Sequence, residues 1–187
     1  KGYDVDSNDL AVYSKVFAQC FLLNNKPAAH FQERIRHLNA LPGRHGWFTE
    51  NYGGEVTRHG TGNAIQSDGR RRPWQRHNTM KLDAIRDEID RIAEGETDRA
   101  VLLTSLILAM DKVDNTLGHQ VAYLKQWSPR SHGSISLQVP SLIEGKGRYR
   151  AFQQDIHSIP GSYDLAYLDP PYGTNNPRTK TTRVRYA

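Results

Sequence analysis

Apolar residues in this chain recur at helical intervals through its middle and at strand-like intervals near its two ends. Tyr3 and Val5 lie in a short run that reads as a strand closing at Ser7-Asn8-Asp9. Leu10, Val12, Tyr13, Val16, Phe17, Cys20 and Leu23 then predict a helix over 10–24, with Asn8 or Asp9 as its cap. Between Pro27 and Arg76 no single period holds: Gly, Asn, His and Arg surround scattered Trp47, Phe48, Tyr52 and Trp74. Here Gly53-Gly54 and Gly60-Thr61-Gly62 follow no predicted strand and read as turns. Leu82, Ile85, Ile89 and Ile92 restore the helical spacing up to Gly95. A second helix, capped by Thr97, carries Val101, Leu102, Leu106, Ile107 and Met110, so the two predict a helical hairpin. A third helical piece is expected over 121–127, and alternation of Ile135, Leu137 and Val139 predicts a strand with one wet face over 134–139. Arg150 to Phe152, a turn at Pro160-Gly161, and the apolar run Tyr163-Asp164-Leu165-Ala166-Tyr167-Leu168, read as a buried strand, complete the pattern.

Bulk properties narrow the class. A length of 187 residues suits one domain with a small appended lobe. Mean hydropathy is -0.71, and no apolar stretch approaches the roughly twenty residues that a bilayer span needs. The polar start, with Asp4, Asp6 and Asp9, does not resemble a signal peptide, so a cytoplasmic setting is expected. A single cysteine, Cys20, excludes an internal disulfide framework and a cysteine-built metal site.

The net charge of +5 is unevenly spread. Residues 43–82 hold seven Lys or Arg against three acids, and residues 173–187 hold four against none. Clustered positive charge favours a polyanionic partner through counterion release. Arg70, Arg71, Arg72, Arg76, Lys81, Lys125, Arg183 and Arg185 are the candidate nucleic-acid contacts.

The most specific feature is Asp169-Pro170-Pro171-Tyr172, placed where the last strand runs into a turn. An exocyclic amine on a nucleobase is a poor nucleophile because its lone pair is delocalised into the ring. Acceptors aimed at its N–H protons return electron density to nitrogen. The Asp169 carboxylate supplies one acceptor and the Pro170 carbonyl a second, while Pro170 and Pro171 hold the turn rigid. Tyr172 offers a face on which an extruded base stacks. Methylation at a ring carbon would need a cysteine nucleophile, and Cys20 sits in a helical apolar pattern far from this motif.

With these residues the chain resembles the D12-class, Dam-like adenine-specific DNA methyltransferases. Gly2-Tyr3-Asp4-Val5 to Asn8-Asp9-Leu10 resembles the family's second strand, whose terminal acid binds the ribose hydroxyls of S-adenosyl-L-methionine. That resemblance implies a cofactor role for Asp9 beside Asn8. Asp155-Ile156 resembles the pair that contacts the cofactor adenine, and stretches 78–89 and 111–127 resemble the helical insertion used for DNA recognition. The implied fold is α/β: an incomplete Rossmann-like class I methyltransferase domain with a large, mostly helical insertion. Residues 1–26 and 148–187 would belong to the catalytic domain and 27–147 to the insertion. The family's glycine loop precedes the matching strand, so the chain is expected to be the central portion of a larger protein.

The implied function is transfer of a methyl group to adenine N6 in double-stranded DNA, with a cognate restriction endonuclease as a possible partner and no membrane or metal. Methylation of cytosine N4 or of an RNA base needs the same acceptor geometry. A non-catalytic DNA-binding fragment is the contrasting expectation.

Overall fold

The computed structural model describes residues 2–56, 63–117 and 124–169. Strand β1 (Val5–Asn8) leads into helix α1 (Val12–Ala18), which continues as a π-helical turn over Gln19–Leu23. Helices α2 (Ala28–Ala40) and α3 (Trp47–Tyr52) follow. Two-residue strands β2 (Gly53–Gly54) and β3 (Trp74–Gln75) pair in parallel ahead of α4 (Arg76–Ile92) and α5 (Glu96–Asp111). Strand β4 (Tyr149–Phe152) comes last and returns to pair in parallel with β1, Val5 opposite Tyr149 and Asn8 opposite Phe152.

The core is helical. Phe31, Ile35 and Leu38 of α2 meet Leu82, Ile85 and Ile89 of α4, and both close on Val101, Leu102 and Leu106 of α5. The α2 and α4 sets fall at three- or four-residue spacing, one stripe per helix, whereas α5 is buried on most of its faces. Val16 and Cys20 join from the α1 side, so the β1–β4 pair is carried at the edge of the helical core.

The hairpin of α4 and α5 follows the sequence pattern, although α5 begins at Glu96 with no side-chain cap from Thr97. Several expectations are corrected. The aperiodic stretch after Pro27 contains α2 and α3, whose few large apolar residues are diluted by His, Arg and Asn. Gly53-Gly54 forms a strand and not a turn. Gly54 permits it, because a Cβ there would lie 2.6 Å from the Trp127 ring. Residues 124–127 are not helical, Gln126 bridging Asn63; residues 121–123 lie outside the described residues, as do Gly60-Thr61-Gly62.

Residues 134–139 keep the predicted alternation, with Ile135 and Leu137 buried, but pair with no strand among the described residues. Two asparagines replace one. Asn78 accepts from the Ile135 amide at 2.9 Å and donates to the Gly133 carbonyl at 2.8 Å. Asn39 accepts from the Leu137 amide at 2.8 Å and donates to its carbonyl at 3.0 Å. Side chains on α4 and α2 thus satisfy the backbone of the segment they bury.

The strand expected over 163–168 is absent, and the run is exposed, Leu165 to 86% and Tyr167 to 89%. An extended segment needs a neighbour for its backbone groups, and among the described residues no third strand flanks β1 or β4. Its start is tethered nonetheless: the Tyr163 hydroxyl donates to Asp6 Oδ2 at 2.7 Å.

Candidate functional site

Two chain ends meet at the β1–β4 pair because their charges match in register. Asp4 accepts from the Arg148 amide and from Arg148 Nε, both at 2.8 Å, while Asp6 takes Arg150 Nε at 2.8 Å and Nη2 at 2.6 Å. The Asp4 carboxyl is held below its ordinary range, chiefly by the Arg148 amide. Asp6 is lowered first by the Arg150 guanidinium and then by Tyr163. Parallel pairing puts the carboxyl ends of both strands on one side, where ligands bind in open parallel sheets.

Asp9 follows β1 directly and Asp155 lies three residues beyond β4. Both are exposed. Each gives one oxygen to its own turn: Asp9 Oδ1 accepts from the Ala11 amide at 2.9 Å ahead of α1, and Asp155 Oδ1 from the His157 amide at 2.8 Å. The other oxygen, Oδ2, accepts no protein hydrogen bond among the described residues in either case. Two carboxylates with a free oxygen apiece at a strand-pair terminus suit hydroxyl or amine donors of a ligand. Asn8 differs, because both polar atoms of its side chain are occupied by the Gln154 backbone. Ile156 is 54% exposed and supplies an apolar face beside Asp155.

Asp169 is exposed at the end of the 163–168 run. Pro170, Pro171 and Tyr172 lie outside the described residues, as do Arg183 and Arg185.

The basic candidates divide. Ala64, fully buried, donates its amide to the Lys125 carbonyl at 2.8 Å and accepts from the Arg72 amide at 3.1 Å. Gln66 accepts from the Gly69 amide and donates to the Arg70 carbonyl, closing a tight turn in which Gly69 adopts φ +74°. Arg70, Arg71 and Lys125, distant in sequence, are thereby exposed on one small platform. Arg72 faces inward, paired with Asp68 at 2.7 Å. Asp68 is held below its ordinary range by the Arg70 amide and then by Arg72. Arg76 pairs with Glu55. Lys81 has a structural role that the sequence did not suggest: its ammonium caps the carboxyl end of α2, donating to the Asn39 carbonyl at 2.8 Å and to that of Leu41.

Other groups on this chain were not legible as a site. Gln153 and Gln154, which brace the strand termini, carry no sequence motif. His30, Glu94 and Asp98 bring possible metal-ligand atoms within 4.8 Å of one another. The nearly buried Asp98 is already met by Lys26 at 2.9 Å and by Arg34 at 3.4 Å, so the group reads as an ion-pair network joining α2 to the start of α5.

Comparison with known proteins adds three relatives and a family. The family model for D12 class N6 adenine-specific DNA methyltransferase matches residues 1–186. Modification methylase StsI of Streptococcus sanguinis is 30% identical over 92% of this chain and 27% of its own length. Type II methyltransferase M.NlaIII of Neisseria lactamica is 29% identical over 90% of this chain and 49% of its own. Modification methylase LlaI of Lactococcus lactis subsp. lactis is 27% identical over 98% of this chain and 31% of its own. The chain therefore spans less than half the length of each of these relatives. No solved structure matches it.

Proposed function

Because this chain belongs to the D12 class of N6 adenine-specific DNA methyltransferases, we propose that it transfers a methyl group from S-adenosyl-L-methionine to adenine N6 in double-stranded DNA. The β1–β4 pair is then part of a Rossmann-like class I sheet to which 1–26 and 148–187 contribute. Residues 27–147 form the helical insertion. The observation that carries the reading is the pair of carboxylates, Asp9 and Asp155, that follow adjacent parallel strands and each keep one oxygen free.

The free oxygen of Asp9 suits the vicinal hydroxyls of a ribose, which donate in pairs to a carboxylate. That of Asp155 suits an amine donor, with Ile156 against the ring. The donor, when bound, supplies an electrophilic methyl carbon on a positively charged sulfur.

Asp169 and the Pro170 carbonyl accept hydrogen bonds from the two N6 protons of a flipped adenine, and Tyr172 stacks on its ring. As the nitrogen forms its new bond to carbon it becomes acidic, and the Asp169 carboxylate holds the proton it sheds. No raised carboxylate pKa is required, and the main demand is orientation. Arg70, Arg71 and Lys125 contribute phosphate contacts that offset the cost of extruding the base, a few kcal/mol. A cognate restriction endonuclease as a partner in the cell belongs to the same proposal.

Methyl incorporation into duplex DNA by the full-length protein tests this. Asp169→Ala should lower the rate by on the order of 10²–10³-fold without changing thermal stability. Equal incorporation by the two proteins would refute the assignment.

A further inference from the structure

Asn8 stands where a cofactor ligand is expected, at the carboxyl end of β1 and beside Asp9. Its side chain is turned to the neighbouring strand instead. Nδ2 donates to the Gln154 carbonyl at 3.0 Å, and Oδ1 accepts from the Gln154 amide at 3.1 Å. This reciprocal pair imitates a backbone rung, and it extends the parallel ladder beyond its last main-chain partners, Asn8 and Phe152. A second bridge runs the opposite way: Gln153 Nε2 donates to the Leu10 carbonyl at 3.2 Å.

The consequences for the carboxylates are direct. Asp9 lies between Asn8 and Leu10, the two residues gripped by these bridges. Asp155 is the next residue after Gln154. These two amide side chains, Asn8 foremost with two bonds, therefore set how far apart, and at what angle, the two turns leave the sheet. Among the described residues no other hydrogen bond or ion pair joins residues 8–10 to residues 153–155. Parallel pairing alone would leave them free to splay.

We propose that Asn8 is a positioning residue: it holds Asp9 and Asp155 at the spacing a single cofactor molecule requires, and it does not itself touch that molecule. The proposal rests on the cofactor reading of the two aspartates. Loss of Asn8 should weaken binding only through them.

The experiment is a double-mutant cycle on the full-length protein, read as the affinity for S-adenosylhomocysteine by calorimetry, with thermal stability measured alongside. Asn8→Ala should weaken binding about tenfold, while in an Asp9→Ala background the same change should weaken it by no more than about threefold. Asn8→Asp, similar in shape but unable to donate to the Gln154 carbonyl, should behave like Asn8→Ala. Gln153→Ala, at an exposed position, repeats the cycle on the second bridge should Asn8 variants fail to fold, with an expected loss of about threefold that shrinks in the same background.

Equal losses in both backgrounds, or no loss in either, would overturn the proposal. Unchanged binding by Asp9→Ala alone is a separate outcome: it would sink the cofactor reading of Asp9 and the positioning role with it.

Discussion

Asp83 shows how much of this protein rests on single buried polar groups. Only 4% exposed, it accepts from the Phe48 and Thr49 amides at 2.9 Å each and from the Thr49 hydroxyl at 2.6 Å. A side chain on α4 thus caps the first turn of α3, which has none of its own. Asp83→Ala leaves those donors buried without a partner, and should lower the unfolding free energy by about 2–4 kcal/mol in urea titration. A change below about 0.5 kcal/mol would contradict the role. In the sequence Asp83 sits among charged residues on a helix and reads as solvated. Asp169 stood out through its motif, and Asp9 and Asp155 through a family resemblance; Asp83 carried no such signal, since its partners lie 34 and 35 residues away.

Between elements, Glu88 ties α4 to α2. It binds Arg91 through Nε at 2.7 Å and Nη2 at 2.5 Å, and it meets His37 of α2. These contacts, Arg91 first, push its carboxyl down from 4.5 to about 2. A depressed carboxylate stabilises the folded state fully above the unfolded value and loses that contribution as pH falls through the folded one. The stability gap between the parent and Glu88→Gln should therefore be constant from pH 7 to about 5 and close between about pH 4.5 and 2. Denaturation at pH 6, 4 and 2.5 measures it; a gap independent of pH would exclude the ion pairs as its source. Helices α4 and α5 were readable because their apolar residues are dense. Helix α2 shows the same spacing at Phe31, Ile35 and Leu38, but with three large apolar residues in thirteen the signal drowned. The 163–168 run failed as a strand for another reason: its apolar character is intrinsic, whereas a ladder requires a neighbour.

At the scale of the molecule, contacts between distant segments assemble surfaces that no window of sequence contains. Residues 63–65 bring Lys125 towards Arg70 and Arg71, Ala64 bonding Lys125 and Arg72 while Ile65 bridges Arg71. If this platform meets the DNA backbone, replacing Arg70 and Lys125 together by Gln should reduce the slope of log affinity against log salt by about 2, with little change in sequence preference. Filter binding across a salt series gives the slope, and an unaltered slope would remove the platform from the interface. Lys81, equally basic in the sequence, caps α2 instead.

The sequence by itself determined the helical hairpin and the strand near its start, and it pointed to the chemistry of a carboxylate joined to two prolines and a tyrosine, because periodicity and side-chain reactivity are local properties. Tertiary structure alone decided which basic residues face outward and that asparagines stand in for a strand beside 134–139. It also decided that β1 and β4, whose charge-paired residues are 144 positions apart, bring Asp9 and Asp155 to one end. Those outcomes depend on which backbone groups find partners across the fold, and pairing at that distance leaves no trace in the order of residues.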